Sequence, residues 1–196
     1  MNRQDYLVAL QKQLEPKILS HSLALESCML GLYDYFDKNN LLDSSEPTRP
    51  EWGIAGLVHD IDYSGDTKSQ HPNLTRQVLK KYNLTITDTV DSIVKSHAPE
   101  LTGIKPVTKA QWSIFCADSL TGLIVATALI YPTKKLSEVK LSSILKRFHH
   151  EPRFAAGTRR DEVKLCQLPN GLNISLDKFI EICLTSMQQI SSQIGL

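Results

Sequence analysis

Apolar residues recur at the spacing of an α-helix along nearly the whole of this 196-residue chain, and no segment shows the alternation of a β-strand. Prolines and short polar stretches divide the pattern into segments, as at the connector 44–50 and the polar loop 62–72. The pattern predicts helices at about 3–14, 17–38, 51–60, 72–82, 87–97, 108–131, 137–147, 159–167 and 176–194. The sequence therefore predicts an all-α helical bundle.

The length and composition fit one domain. A chain of this length with 41% hydrophobic residues can bury a core of its own. We expect a single domain over residues 1–196, with a metal-ligand core at about 17–131 and C-terminal helices at about 137–196 packed on it. The net charge is only +1, so bulk electrostatics give no reason to expect a nucleic acid or a membrane as partner.

Simple targeting signals are not expected in this chain. The longest apolar run, from Gly122 to Tyr131, is too short to cross a bilayer, and the N-terminal residues lack the apolar core of a signal peptide. The cysteines form no CxxC pair, and we expect them to be buried thiols in a reducing compartment. They are Cys28, Cys116, Cys166 and Cys183. These features predict a cytoplasmic location.

Titratable side chains interrupt the apolar faces of four predicted helices. They are His21, His59, His97 and Asp118, and Asp60 stands directly beside His59. One such histidine alone is usually a core residue bonded to a backbone carbonyl, and one such carboxylate usually caps a helix. Several together are costly to bury without a shared partner. Because imidazole and carboxylate are common ligands of divalent cations, we expect a metal site.

The order of these residues resembles the HD superfamily of metal-dependent phosphohydrolases, and in particular its small bacterial HD-domain hydrolases. The resemblance is carried by the first-histidine segment 21–26, the segment GLVHDIDY at 56–63, and the histidines His71 and His97. It continues through the aspartate segment 116–123 and the tail segments 146–148, 153–157, 159–161 and 176–180. It implies an HD-domain-like helical bundle that hydrolyses phosphate esters.

The resemblance also implies a ligand set. The residues that would hold one divalent ion are His21, His59, Asp60 and Asp118, and those that match ligands for a second ion are His71 and His97. Bound by four ligands, an octahedral ion keeps two positions for water and substrate. We favour one metal over two. The metal itself stays open between Mn, Mg, Co, Fe, Ni and Zn, because such a ligand set accepts several.

The chain departs from the family pattern directly after the signature. Many two-metal phosphodiesterases have glycine and lysine there, whereas this chain has Asp62 and Tyr63. The difference argues against cleavage of cyclic dinucleotides. Asp62 is a candidate catalytic residue that orients or deprotonates the attacking water, and the alternative is an ordinary turn residue at the start of the loop.

Basic residues supply candidates for binding the substrate phosphate. Lys68 lies in the loop after the signature, and Arg153, Arg159 and Arg160 form a cluster near the start of a predicted helix. Guanidinium groups suit phosphate oxygens because they donate two parallel hydrogen bonds. The alternative is a solvated helix start in which these arginines pair with the acids that follow. We expect a small phosphorylated substrate, with a nucleotide as one candidate.

Two other functions fit the same residues. An HD-fold di-iron oxygenase would use the histidine-rich set to activate O₂, and a non-catalytic module would bind a metal or a nucleotide without turnover. A homodimer is a further open point. The last helix has an apolar face that suits either the core or a dimer contact. Its residues are Phe179, Ile180, Ile182, Cys183, Met187 and Ile190.

Overall fold

A computed structural model describes residues 2–196, and within that range it contains ten α-helices, four 3-10 helices and no strand. The α-helices are α1 (Arg3–Gln13), α2 (Pro16–Lys38), α3 (Arg49–Val58), α4 (Thr75–Lys81), α5 (Asp88–Lys95), α6 (Pro99–Thr102), α7 (Lys109–Leu129), α8 (Leu141–His150), α9 (Arg160–Lys164) and α10 (Leu176–Gln189). The 3-10 helices are Gly65–Gln70, Leu136–Glu138, Leu165–Gln167 and Ser191–Ile194. The predicted all-α class is confirmed.

Short sequence signals explain where the central helix α7 begins. Thr108 and Gln111 form a capping box, in which each side chain accepts a hydrogen bond from the backbone N–H of the other residue. The carboxylate of Glu46, from the connector before α3, accepts further bonds from the N–H groups of Lys109 and Ala110. These acceptors satisfy the donors that a helix start leaves free.

The core surrounds α2 and α7. Helices α3 and α10 pack on α2, and α5, α8 and α9 pack on α7. The buried apolar side chains form one cluster that runs from Tyr6 to Ile194. Gly56 permits the closest approach of α3 to α2, because a Cβ there would lie 2.9 Å from the Cα of Glu26.

Several predicted helix ends differ from the structure, among them α4, α8 and α9, which are shorter or shifted by a few residues. Helix α3 ends at Val58, so His59 and Asp60 lie in tight turns after the helix rather than in its last turn. The predicted loop near residue 100 contains the short helix α6, which ends where Gly103 has a φ of 74°. Helix α10 ends at Gln189 and is followed by a 3-10 helix. Such turns contain only local hydrogen bonds, and apolar periodicity does not detect them.

Buried positions account for most of the apolar segments and the thiols. By length and composition alone, helix α7 could cross a membrane, but 61% of its most apolar 18-residue stretch is buried within the fold. The apolar face of α10 packs into the same core, where Phe179, Ile180, Cys183 and Met187 are fully buried. The four cysteines are free and buried. The burial of the thiols is confirmed, and these four residues of α10 belong to the core, whereas Ile182 and Ile190 are half-buried and the homodimer stays a prediction.

Candidate metal centre

Six side chains from five parts of the chain converge at one place in the bundle. They form two groups of three, His21, His59 and Asp118 in one and Asp60, His71 and His97 in the other. Within each group the candidate ligand atoms all lie within 4.8 Å of one another. These six residues are the complete set of metal ligands predicted from the sequence, and the structure brings all of them together.

The first group joins α2, the turn after α3, and α7. The Nε2 atom of His21 lies 3.1 Å from Nε2 of His59 and 3.0 Å from Oδ1 of Asp118. The distance from His59 Nε2 to the same carboxylate oxygen is 3.8 Å. The three atoms thus surround a small space, and each side chain reaches it from a different element.

The second group lies beside the first and is built from the ends of shorter elements. Nε2 of His71 is 3.0 Å from Nε2 of His97 and 3.3 Å from Oδ1 of Asp60. The other oxygen of Asp60, Oδ2, lies 3.4 Å from Nε2 of His59 and 3.6 Å from Nε2 of His21. Asp60 therefore turns one carboxylate oxygen towards each group.

Two of the histidines are oriented by the helices that they follow. Nδ1 of His59 donates to the carbonyl oxygen of Gly56 at 2.8 Å, and Nδ1 of His97 donates to that of Val94. These carbonyls belong to the last turns of α3 and α5, where a helix leaves acceptors free. A carbonyl oxygen accepts only, so both rings carry their proton on Nδ1 and present Nε2 to the cluster.

Polar side chains orient the other two histidines in the same way. Nδ1 of His71 faces the Asp62 carboxylate at 2.7 Å, and Nδ1 of His21 faces the hydroxyl of Thr121 at 2.9 Å. That hydroxyl already donates to the backbone carbonyl of Asp118, so it accepts from His21. Such outer partners fix the tautomer and the direction of a metal-binding imidazole.

The resulting arrangement could hold a metal ion. In the neutral state all four histidines direct an Nε2 lone pair into the cluster, and two pairs of these atoms lie only 3.0 and 3.1 Å apart. Lone pairs that face each other at this distance repel unless a proton or a metal lies among them. Four imidazoles and two carboxylates form a donor set that suits several first-row divalent metals. The six residues therefore fit a metal ion chemically as well as by position.

The electrostatics of the cluster favour the deprotonated forms of His59, His97 and Asp118 and the protonated form of His21. Burial lowers the pKa of His59 to about 4 and also lowers the pKa of His97. Burial alone would raise the pKa of Asp118, but the hydrogen bond and the charge of His21 outweigh it and hold that pKa below its usual range. In return Asp118 outweighs burial at His21 and raises the pKa of its imidazole. A proton and a metal thus compete for the space beside His21.

A cavity of about 510 Å³ opens beside the first group. His21 and Asp118 form one wall, and Arg159 and the loop before it form another. The Arg159 guanidinium donates to Oδ2 of Asp118 at 2.8 Å, and its backbone N–H donates to the hydroxyl of Ser119. The Nε atom of the same guanidinium lies 2.7 Å from Oε2 of Glu162, so Arg159 is paired both with a metal-ligand candidate and with an acid that follows it in the chain, as the alternative interpretation of the arginines expected.

The geometry gives Asp62 a different role from the one predicted. Its carboxylate is fully buried, accepts from Nδ1 of His71 and from the backbone N–H of Leu74, and so has both oxygens occupied. It lies behind the His71 ring, on the side away from the cluster. The structure therefore supports Asp62 as a residue that positions His71, and it does not support the predicted contact with an attacking water.

Of the four predicted phosphate-binding residues, only Arg159 lines the cavity at the cluster. The guanidinium of Arg160 instead donates to backbone carbonyls around the end of α8, including that of Phe154 at 2.6 Å. Arg153 is exposed, and Lys68 lies 4.4 Å from the centre of the Tyr63 ring on the other side of the cluster. The side chains of consecutive residues at a helix start point in different directions. Arg159 and Arg160 therefore reach different partners.

Sequence reasoning missed the residues that support the first group. Thr121 orients His21, Ser119 holds the backbone of Arg159, and the loop 155–158 forms the far wall of the cavity. A usable signal existed for the first two, because these polar residues follow Asp118 by one and three positions on the apolar helix α7. The loop gave none, since small residues without a motif carry no chemical information.

Comparison of the chain with models of protein families, with curated proteins and with solved structures found no match. The resemblance to the HD superfamily accordingly stays a prediction from the residues.

Proposed function

We propose that the chain is a metal-dependent phosphohydrolase that cleaves a small phosphate ester with an activated water. The observation that carries this proposal is the convergence of four imidazole Nε2 atoms and two carboxylates in two adjoining groups, directly beside a cavity that Arg159 lines. Metal ligands at a cavity wall are typical of a catalytic site, whereas a structural site is closed by protein ligands.

The proposal includes two cations, one for each group of three ligands, which revises the preference for one that the sequence suggested. Asp60 supports this reading because its two oxygens face different groups. A carboxylate in that position suits two cations that share it as a bridge. In two-metal hydrolytic sites such ions act together on the attacking and leaving oxygens.

The residues of the chain divide the remaining work. When bound, divalent cations would lower the pKa of a water and offset the negative charge of the phosphate. Arg159 orients the phosphate from the opposite wall of the cavity, and its bond to Asp118 fixes the guanidinium in advance. Asp62 and Thr121 keep His71 and His21 in their ligand orientations.

The proposal is tested with purified protein that is stripped with a chelator and reloaded with each of Mn²⁺, Mg²⁺, Co²⁺, Fe²⁺, Ni²⁺ and Zn²⁺. Elemental analysis and phosphate release from generic esters and a nucleotide panel are measured together. We expect activity with at least one metal, and its loss in Asp60→Ala but not in Asp66→Ala, a matched change at an exposed aspartate. Inactivity with every metal and every ester would overturn the proposal.

A second candidate is a di-iron oxygenase on the same fold. The observation that favours it is the nitrogen-rich donor set of four imidazoles with one shared carboxylate, which suits iron as well as redox-inactive metals. It predicts two irons per purified chain and consumption of O₂ without phosphate release. Phosphate release by protein that is loaded with Mg²⁺ or Zn²⁺ alone would exclude it as the main activity.

A further inference from the structure

No close packing contact explains why position 122 is a glycine. It lies in the middle of α7, is exposed, and a Cβ built there would meet no heavy atom within 4 Å. Glycine destabilises a helix interior relative to alanine, so it usually marks a close neighbour or a positive φ. Gly56 has such a neighbour, whereas Gly122 has neither. The open space beside Gly122 therefore needs another explanation.

Two cavities meet at this glycine. One is the cavity of about 510 Å³ that contains Arg159, and the other is a groove of about 550 Å³ between α2, α7 and the C-terminal residues 194–196. Gly122 and His21 line both of them. The imidazole that offers a ligand atom to the first metal group thus also borders the groove, and at position 122 no side chain stands between the two spaces.

The groove is mainly aliphatic. Its apolar walls are Pro16, Ala24, Val125, Leu129, Ile194 and Leu196. Within the part of the chain that the structure describes, neither cavity is lined by an aromatic ring other than the His21 imidazole, or by an asparagine or glutamine. A nucleobase is normally held by stacking on an aromatic ring and by side-chain amides at its edge, and apart from the His21 imidazole these walls offer neither group. An aliphatic chain matches them better.

We propose that the substrate is a phosphate monoester of an aliphatic alcohol, and that Gly122 determines this specificity. The phosphate lies between the metal ligands and Arg159, and the aliphatic chain passes over Gly122 into the groove between α2 and α7. This inference rests on the proposed hydrolase function and narrows its substrate class away from nucleotides. A side chain at position 122 would enter the open junction and close the passage, without disturbing the packing of α7.

The test uses metal-loaded protein and linear alkylphosphonates, which mimic the phosphate ester and are not hydrolysed. Calorimetry compares ethyl-, butyl-, hexyl- and octylphosphonate on the wild type, Gly122→Leu and Gln189→Leu, the last being an exposed position outside both cavities. For the wild type we expect affinity to rise by up to about fourfold per buried methylene. Gly122→Leu should abolish most of this rise, and Gln189→Leu should retain it.

Thermal unfolding separates a blocked passage from a damaged fold. Gly122→Leu should unfold at the same temperature as the wild type or higher, because leucine is the better helix former and has room there. Affinity that does not depend on chain length in the wild type would overturn the inference, as would tighter binding of a nucleoside monophosphate than of octylphosphonate. Release of phosphate from short esters would in that case still support the hydrolase. If affinity rises with chain length but no ester is hydrolysed, the result would instead support binding of an aliphatic chain in the groove and overturn the proposed hydrolase function.

Discussion

The two ligand groups of the cluster have the same kinds of side chain but differ in their exposure to solvent. In the first group, the side chains of His21 and Asp118 are 26% and 15% exposed and line a cavity. In the second group, His71 is 8% exposed at its side chain, His97 is buried, and Asp62 closes the rear. The contrast supports the proposal that a substrate would approach the cluster at the first group, because the second group is enclosed by protein.

Removal of one buried histidine from each group gives the strongest test of this contrast. His59→Ala should remove one metal equivalent and reduce kcat/KM at least about a thousandfold, or about 4 kcal/mol of transition-state stabilisation, because the open group is damaged. His97→Ala should also remove one equivalent but cost less activity. Elemental analysis and steady-state kinetics measure both effects. Loss of all metal from either variant would show one coupled centre instead of two groups.

Asp62→Asn should weaken the enclosed group selectively. An asparagine can accept from His71 or turn its amide towards it, but it cannot supply the charged acceptor that both His71 and the Leu74 N–H use. We expect a loss of about tenfold to a hundredfold in metal affinity at the second group. Calorimetric titration with metal measures the affinity of the second group. Asp66→Asn, at an exposed position, is the control. An unchanged second binding step would contradict the positioning role.

Arg159→Met should affect substrate and not metal. The guanidinium is bonded to the carboxylate oxygen of Asp118 that points away from His21, so its loss leaves the ligand oxygen in place. We expect kcat/KM to fall about tenfold, with the metal content unchanged. Arg153→Met is the matched control, because that side chain is exposed and outside the cavity. Equal losses in the two variants would remove the case for a phosphate site at Arg159.

The last expected effect is on stability. At a free metal concentration about a hundred times the dissociation constant, binding stabilises the native state by about 2.7 kcal/mol per site. Chelation empties both sites and should therefore lower the unfolding temperature of the wild type by roughly 10–20 °C. The His97→Ala variant keeps only the first ligand group, so chelation should lower its unfolding temperature by less. Differential scanning calorimetry with and without chelator measures the two shifts, and equal shifts would speak against independent groups.

Much of the fold and the site was predictable because burial limits what a polar residue can do. Helical periodicity located most helices, and the position of His21, His59 and Asp118 on apolar faces implied a shared partner. The prediction was weaker in the loop 62–72. There the sequence suggested that Asp62 contacts an attacking water, whereas in the structure its carboxylate accepts a hydrogen bond from His71. Local sequence does not reveal which ring a carboxylate faces when the chain folds back on itself.

The sequence by itself determined the chemistry available to this protein, namely four imidazoles and two carboxylates that must be buried together. Only the tertiary structure decided how they are shared, with one oxygen of Asp60 for each group. It also decided that Arg159 reaches the cavity while Arg160 binds backbone carbonyls, and that Gly122 stands between two cavities. The reason is physical: residue type fixes which bonds a side chain can make, whereas direction and distance arise only when separate helices pack.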